Sequence, residues 1–297
     1  MRIILALTLL LALPAQSADA PFLWRLDGAQ ATHYFIGSVH LLPDSARLPA
    51  QYNQAFKATQ GLVFETDIAA LSQASVQQDL LNAAQARRGL RKEVGADLYG
   101  RVLAYNKTLG LPETTCDKFK AWFCAMTLEV VQFVRAGFKP ELGVDQQLHT
   151  RALLDNSKRL HALETIDQHL DLFTQMPAVL SRRFLEATLD EAGDADSPEK
   201  LLSIWRNNDL AGLTALTLEM KARQPQVYAR LLAERNRAWL APLLELLRGG
   251  EAQLVVVGAA HFAGPDGLVE LLRQRGYELK PELAPAQPPA QPAVPAE

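Results

Sequence analysis

Tyr34-Phe-Ile-Gly37-Ser-Val-His40 and Leu254-Val-Val-Val-Gly258-Ala-Ala-His261 repeat one pattern near the two ends of the chain. Each is an apolar, β-prone run that ends in Gly-x-x-His, which predicts a strand that carries a histidine just past its end. Glycine allows the backbone to turn tightly at that point. Two such strands in one sheet can bring their histidines into one crevice. The repeat therefore indicates both a fold and a site.

Carboxylates follow two further predicted strands. Gly61-Leu-Val-Phe-Glu65-Thr-Asp67 is typical of a buried strand, and Arg159-Leu-His-Ala-Leu-Glu164 of a short one. Ligands of open α/β sheets bind beyond the carboxyl ends of the strands. Imidazoles and carboxylates there suit either a divalent metal with open positions or metal-free acid–base chemistry. Asp67 could instead form a cap or turn, and Glu164 could cap a helix that follows it.

Most of the remaining chain is helical by pattern. A hairpin is predicted around the turn Asp27-Gly28-Ala-Gln, and 3–4 periodicity fills most of 69–150 and 167–247. A strand at 252–257, a helix at 267–275 and a strand at Tyr277–Lys280 close the chain. We predict an α/β fold, with α+β as the alternative. Its mixed central sheet would gather N-terminal, middle and C-terminal strands. A helical lobe would cover about 69–247, interrupted by the strand near 159–164.

The two ends of the chain have different compositions from the rest. Arg2 precedes an apolar run from Ile3 to Leu13, and Ala18-Asp19-Ala20 is a small-x-small cleavage pattern. Residues 1–20 are thus a predicted signal peptide, because a membrane anchor needs ~20 apolar residues. The folded domain would cover 21–280, followed by a Pro/Ala-rich tail at 281–297 that is disordered or extended. We expect a secreted or periplasmic protein without a membrane anchor after cleavage.

Composition limits the classes of function. The chain has 297 residues, 48% of them hydrophobic, and a net charge of −3. Lysine and arginine are scattered, so nucleic acid is not an expected partner. Cys116 and Cys124 are the two cysteines. They are too far apart on one continuous helix for a bridge, and can pair only if Cys116 lies in the turn before that helix.

Other catalytic signatures are absent from the sequence. It has no Gly-x-Ser-x-Gly elbow, phosphate loop, His-Glu-x-x-His or dinucleotide glycine fingerprint. His33, His149, His161 and His169 carry no functional signal of their own. Arg235-Asn236-Arg237 is a charged run on a helix, which is usually a solvated face.

Six motifs together resemble the TraB/GumN family, which includes the Tiki metalloproteases. The wider group contains the erythromycin esterases and the ChaN-type haem-binding lipoproteins. The motifs occur in family order over almost the whole chain after residue 20: Phe35-Ile-Gly-Ser-Val-His-Leu-Leu-Pro43, Leu62-Val-Phe-Glu-Thr-Asp67, Gly143-Val-Asp-Gln-Gln-Leu148, Leu163-Glu-Thr165, Glu234-Arg-Asn236 and Val256-Val-Gly-Ala-Ala-His-Phe-Ala-Gly-Pro-Asp-Gly267.

The resemblance implies a site and an activity. His40, His261 and Glu65 would form its core and hold Mn²⁺ or Co²⁺, as in Tiki-type members. Arg235 and Asn236 would stabilise an oxyanion or orient the substrate. The supporting or substrate-binding positions would be Gly37, Gly258, Asp67, Asp145 and Glu164.

The expected activity is that of a secreted, metal-dependent peptidase acting on a peptide or small molecule. There are two alternatives, of which the first uses the same residues. One is a metal-independent, esterase-like hydrolase. The other is a periplasmic protein that binds or sequesters peptide or haem without turnover. The sequence predicts neither the substrate nor the oligomeric state.

Overall fold

The computed structural model describes residues 22–191 and 197–282. The predicted signal peptide and the part of the predicted tail from residue 283 onward lie outside the described residues. Among the described residues, no helix is long and apolar enough to cross a membrane.

A six-stranded mixed sheet forms the centre of the molecule. In spatial order its strands are β6 Arg159–Ala162, β4 Gly61–Phe64, β7 Gln253–Gly258, β2 Thr32–Ser38, β1 Leu23–Asp27 and β8 Lys280–Pro281. The inner strands β4, β7 and β2 and the edge strand β6 are mutually parallel, and β1 and β8 are antiparallel to their neighbours. The predicted α/β class with a mixed central sheet is therefore confirmed. A separate two-stranded sheet pairs β3 Leu42–Pro43 with β5 Phe138–Lys139.

The apolar runs of the sequence become the inner strands because helices cover both faces of the sheet. All four residues of β4 are buried, as are the first five of β7. Near-continuous apolar runs are typical of parallel strands buried on both faces. The helices are α1 Ala50–Ala58, α2 Ile68–Leu71, α3 Ala74–Ala83, α4 Leu90–Val94, α5 Ala96–Thr108, α6 Ala121–Arg135, α7 Val144–Asp155, α8 Ile166–Thr174, α9 Ala178–Glu191, α10 Ser197–Arg206, α11 Leu210–Arg223, α12 Pro225–Tyr228, α13 Glu234–Arg248 and α14 Leu268–Arg273.

The predicted helical lobe divides between two hydrophobic cores. Helices α7, α10 and α13 pack on the sheet, where Val144, Trp205 and Trp239 belong to its core. Helices α5, α6 and α9 build a second core around side chains such as Trp122 and Leu185. One part of the segment 69–247 thus forms a separate lobe, and the other part packs on the sheet.

A disulfide joins Cys116 and Cys124. Cys116 ends a 3₁₀ turn, Glu113–Cys116, and Cys124 lies in the first turns of α6. Their Cα atoms are 5.4 Å apart. This is the arrangement that the sequence left open, with the first cysteine in the turn before the helix.

The first residues of the predicted tail are extended. Pro281 of β8 pairs with Trp24 of β1, and the Glu282 amide donates to the Leu23 carbonyl. Proline is tolerated here because β8 is an edge strand and needs few ladder donors. The expected strand at Tyr277–Lys280 is accordingly shorter and lies further along the chain.

Candidate active site

Three side chains from distant parts of the chain surround Gly258. His40 follows β2, Glu65 follows β4, and His261 lies in the 3₁₀ turn Ala259–Phe262 after β7. Strand β7 pairs in parallel with both β4 and β2, so the three carboxyl ends lie side by side. A methyl group on Gly258 would lie 3.3 Å from Glu65 Oε1, 3.5 Å from His261 Cδ2 and 3.7 Å from His40 Nε2. The predicted convergence of the two Gly-x-x-His motifs with Glu65 is thus what the structure shows.

Asp145 holds His40 from the first turn of α7. Its Oδ2 lies 3.2 Å from His40 Nδ1. The close approach depends on Gly143, because a Cβ there would lie 2.3 Å from the His40 carbonyl oxygen. The carboxylate of Asp145 raises the pKa of His40 above its ordinary value, although burial opposes this. The side chain of His40 is 59% exposed, so solvent screens part of the effect.

His261 is fixed in one neutral tautomer. Its Nε2 lies 3.1 Å from Arg235 Nη1, and its Nδ1 lies 2.6 Å from Asn236 Oδ1. Arginine can only donate, so Nε2 accepts and Nδ1 carries the proton that Asn236 accepts. Burial lowers the pKa of His261 to about 3. The imidazole therefore stays neutral, and both of its nitrogens already have partners.

Arg235 connects Glu65, Glu164 and His261 by hydrogen bonds. An arginine has five N–H donors, and all of them are engaged here. Trp239 also lies under the guanidinium, with the carbon centre 4.6 Å from the ring centroid. Arg235 donates to Glu65 Oε2 at 2.6 Å, Glu164 Oε1 at 2.7 Å, Glu164 Oε2 at 3.2 Å, His261 Nε2 at 3.1 Å and the Leu231 carbonyl at 3.3 Å.

Glu65 and Glu164 are ionised partners of this arginine. Burial alone would raise the pKa of Glu65, but Arg235 and the amide of Gly258 hold it well below its ordinary value. Burial likewise opposes ionisation of Glu164, yet its hydrogen bonds from His169 and Arg235 lower its pKa. Trp239 Nε1 donates to Glu164 Oε2 at 3.0 Å. Glu164 therefore anchors Arg235 from the end of β6.

Arg235 and Asn236 were expected to stabilise an oxyanion or orient the substrate. In this structure the side-chain N–H groups of both residues are already engaged in hydrogen bonds. The amide nitrogen of Asn236 donates to the carbonyls of His261 and Asp266, while its oxygen accepts from the His261 ring. Both residues orient the groups around them. Their place just after a π-helical turn, Ala229–Ala233, agrees with the frequent occurrence of such turns at functional sites.

Two predicted supporting residues have mainly structural contacts. Asp67 caps α2 by accepting from the Ala70 amide, which is the alternative that the sequence left open. Gly37 allows close packing, because a Cβ there would lie 3.1 Å from the Cα of Ala259. Gly37 also accepts a hydrogen bond from Trp205 Nε1 at 2.9 Å through its carbonyl.

His169 is a residue that the sequence analysis missed. Its Nδ1 lies 2.7 Å from Glu164 Oε1, and its ring lines the same pocket as His40. A signal was present, because Thr165 and Gln168 form a capping box that starts α8 directly after Glu164. The first turn of that helix brings the ring at position 169 back to the glutamate.

A family model described as the TraB/PrgY/gumN family matches residues 22–281. The chain belongs to this family. "Uncharacterized protein YbaP" of Shigella flexneri is 26% identical over 255 residues, which cover 84% of this chain and 90% of the relative. The protein of the same name from Escherichia coli (strain K12) is 26% identical over 247 residues, covering 81% and 87%. No solved structure matches the chain significantly.

In this TraB/PrgY/gumN member, Glu65, Glu164 and His169 could hold a metal ion. One ligand atom from each lies within 4.8 Å of the others. Glu65 belongs to this group, whereas the other two ligands predicted from the sequence, His40 and His261, do not. Arg235 donates to two members of each set, to His261 Nε2 and Glu65 in the predicted one and to Glu65 and Glu164 in the other, so its guanidinium would have to move before either set could hold a metal.

Proposed function

We propose that this chain is an exported hydrolase in which His40 activates a water molecule beside Gly258. The observation that carries the proposal is the arrangement of His40, Glu65 and His261 around one point. A water there would lie next to an imidazole nitrogen and a carboxylate oxygen. The reaction is addition of that water to the carbonyl carbon of an amide or ester.

His40 is the base because the other two groups are poorly suited to the role. His261 has no free lone pair, since Arg235 donates to its Nε2. Glu65 is a weak base, because its low pKa means that it holds a proton poorly. His40 has its Nδ1 on Asp145 and its Nε2 towards the site, which is the geometry in which a carboxylate orients a catalytic imidazole.

The proton transfers then balance. His40 Nε2 takes one proton from the water as its oxygen attacks the carbonyl carbon. The resulting imidazolium is stabilised by Asp145 on one side and by the nearby Glu65. As the carbon–nitrogen or carbon–oxygen bond breaks, His40 returns the proton to the leaving atom, and a carboxylic acid and an amine or alcohol are released. The raised pKa makes neutral His40 a stronger base, although it lowers the fraction that is neutral.

Two further observations support the proposal. The Cys116–Cys124 disulfide is typical of proteins that fold in an oxidising compartment, which agrees with an N-terminal export signal. Family membership supports the choice of site, because the converging residues lie in the motifs that carry the resemblance.

Gly258→Ala tests the convergence point directly. The methyl group would take the space that the attacking water needs, and we expect kcat/KM on peptide and ester libraries to fall about a hundredfold. The loss of stability should be small, because the backbone angles at this position, φ −51° and ψ 137°, suit alanine and Glu65 Oε1, 3.3 Å from the new methyl group, needs to move only slightly. Gly100→Ala is the control, since nothing lies within 4 Å of a Cβ there. Full activity of Gly258→Ala would contradict the proposal.

A metal-dependent peptidase is the second candidate, because Glu65, Glu164 and His169 present three ligand atoms within 4.8 Å. These residues would hold the ion, and Arg235 would have to move away from both carboxylates. A divalent ion bound there would polarise a substrate carbonyl as a Lewis acid.

Chelation separates the two candidates. We expect the purified chain, dialysed against EDTA and then against metal-free buffer, to keep its hydrolytic activity, because Arg235 already supplies the positive charge between the carboxylates. The measurement is kcat/KM before chelation, after it, and after addition of Mn²⁺ or Co²⁺. Activity that disappears with EDTA and returns with Mn²⁺ would favour the metal-dependent candidate instead.

A further inference from the structure

A small pocket of about 230 Å³ opens beside His40 and Glu65. Sites for drug-sized ligands are typically about 300–1,000 Å³, so this pocket has room for one side chain or a short acyl group. It is bounded by the ends of the strands and by α2, α7 and α8. His40, Glu65, Asp145 and His169 form its polar walls next to the candidate active site.

One side of the pocket is apolar. Phe64 and Val256 are paired neighbours on β4 and β7, and they are 3% and 1% exposed. Ile68 and Leu71 of α2 are only partly buried, so their side chains remain available at the pocket. An apolar group of a substrate that entered here would leave water on contact with all four side chains, which favours binding.

Two residues with buried hydroxyls also border the pocket. Ser38 ends β2, and Thr66 follows β4 by two residues; each is 3% exposed. Neither hydroxyl oxygen has a hydrogen-bond partner within residues 22–191 and 197–282. A buried hydroxyl without a partner destabilises the fold, and a ligand that forms hydrogen bonds with both hydroxyls would remove that cost. A third unpartnered atom, Asp145 Oδ1, is an acceptor in the same pocket.

We propose that this pocket is a substrate subsite for one short apolar side chain or acyl group, and that the Ser38 and Thr66 hydroxyls position the substrate by hydrogen bonds to the polar group next to it. The inference rests on the proposed hydrolase function and adds its substrate class. The hydroxyls donate to a carbonyl oxygen of the substrate, while Phe64, Val256, Ile68 and Leu71 contact the apolar group. The scissile bond then lies at the open side of the pocket, next to His40.

The kinetic test uses variants that remove each hydroxyl while keeping its shape, Ser38→Ala and Thr66→Val. Each should lower kcat/KM about tenfold for a leucine-bearing dipeptide amide, because one hydrogen bond to the substrate is lost. Their melting temperatures should stay the same or rise, since an unpartnered buried hydroxyl is removed. The wild type should prefer the leucine substrate over an aspartate-bearing one by about tenfold or more.

Thr59→Val is the matched control. Thr59 is also buried, but its hydroxyl donates to the Ala55 carbonyl at 3.0 Å, away from the pocket. Thr59→Val should therefore lose thermal stability and keep its kcat/KM, whereas the two pocket variants should keep stability and lose activity. A purely structural role for Ser38 and Thr66 would not produce this difference.

A binding measurement separates this inference from the proposed function. N-acetyl-leucinamide, followed by ligand-observed NMR, should bind the wild type better than N-acetyl-aspartamide and should bind the double variant S38A/T66V weakly. If His40→Ala hydrolyses normally but these binding differences hold, the proposed function fails and the subsite stands. If both hydroxyl variants keep wild-type kcat/KM and probe affinity, the hydroxyls serve only ordered water or packing, and the subsite is overturned.

Discussion

Replacement of Arg235 by methionine is expected to lower the free energy of unfolding by about 3–5 kcal/mol and to abolish hydrolysis. The guanidinium is the cation that lies between Glu65 and Glu164, and both carboxylates are largely buried. Methionine fills similar space but leaves two buried negative charges facing each other. Urea titration at neutral pH measures the loss of stability, and kcat/KM measures the loss of activity.

Two companion variants show whether charge or geometry is lost. Arg235→Lys keeps the positive charge but cannot replace five donors in a fixed plane, so it should recover part of the stability and little of the activity. R235M/E164Q removes one of the two unpaired charges and should be more stable than R235M. If R235M unfolded at the same urea concentration as the wild type, Arg235 would not be the residue that holds Glu65, Glu164 and His261 together.

The outline of the fold and the place of the site could be predicted from the sequence because strand ends carry a local signal. The run Leu254–Val257 and the glycine after it predict a buried strand and a turn from residue type alone. The position of Glu65 at the end of a strand could be predicted in the same way, because the four residues before it form a buried strand. Parallel pairing then places the ends of such strands at one edge, so the meeting of His40 with His261 follows from topology.

The partners of these residues could not be predicted in the same way, because they depend on how helices pack over the sheet. Arg235 lies on a helix in a charged run, a pattern that usually faces solvent, yet it is almost fully buried. Carboxylates and imidazoles that surround a metal give the same sequence pattern as those that surround an arginine. Only the five hydrogen bonds of Arg235 distinguish the two cases. The unpartnered hydroxyls of Ser38 and Thr66 are likewise visible only once their surroundings are known.

Replacement of His40 by alanine is expected to lower kcat/KM by about 10²–10⁴-fold, the usual contribution of a general base. Stability should change by no more than about 0.5 kcal/mol, because the side chain is mostly exposed and contributes little to the core. His40→Ala therefore separates an effect on catalysis from an effect on stability better than any substitution at Arg235 does. Kinetic assays on the best library substrate and a parallel urea titration measure the two quantities.

Asp145→Asn extends the same argument to the orientation of the ring. An asparagine at this position keeps the size of the side chain but takes away the negative charge and one acceptor oxygen at His40 Nδ1. We expect a loss of activity that approaches that of His40→Ala, because the imidazole is then free to adopt the wrong tautomer. His161→Ala is the control histidine, since its ring lies outside the pocket that His40 lines. Equal activity of His40→Ala and His161→Ala would remove His40 from the mechanism, and the base would have to be sought among Glu65, Glu164 and His169.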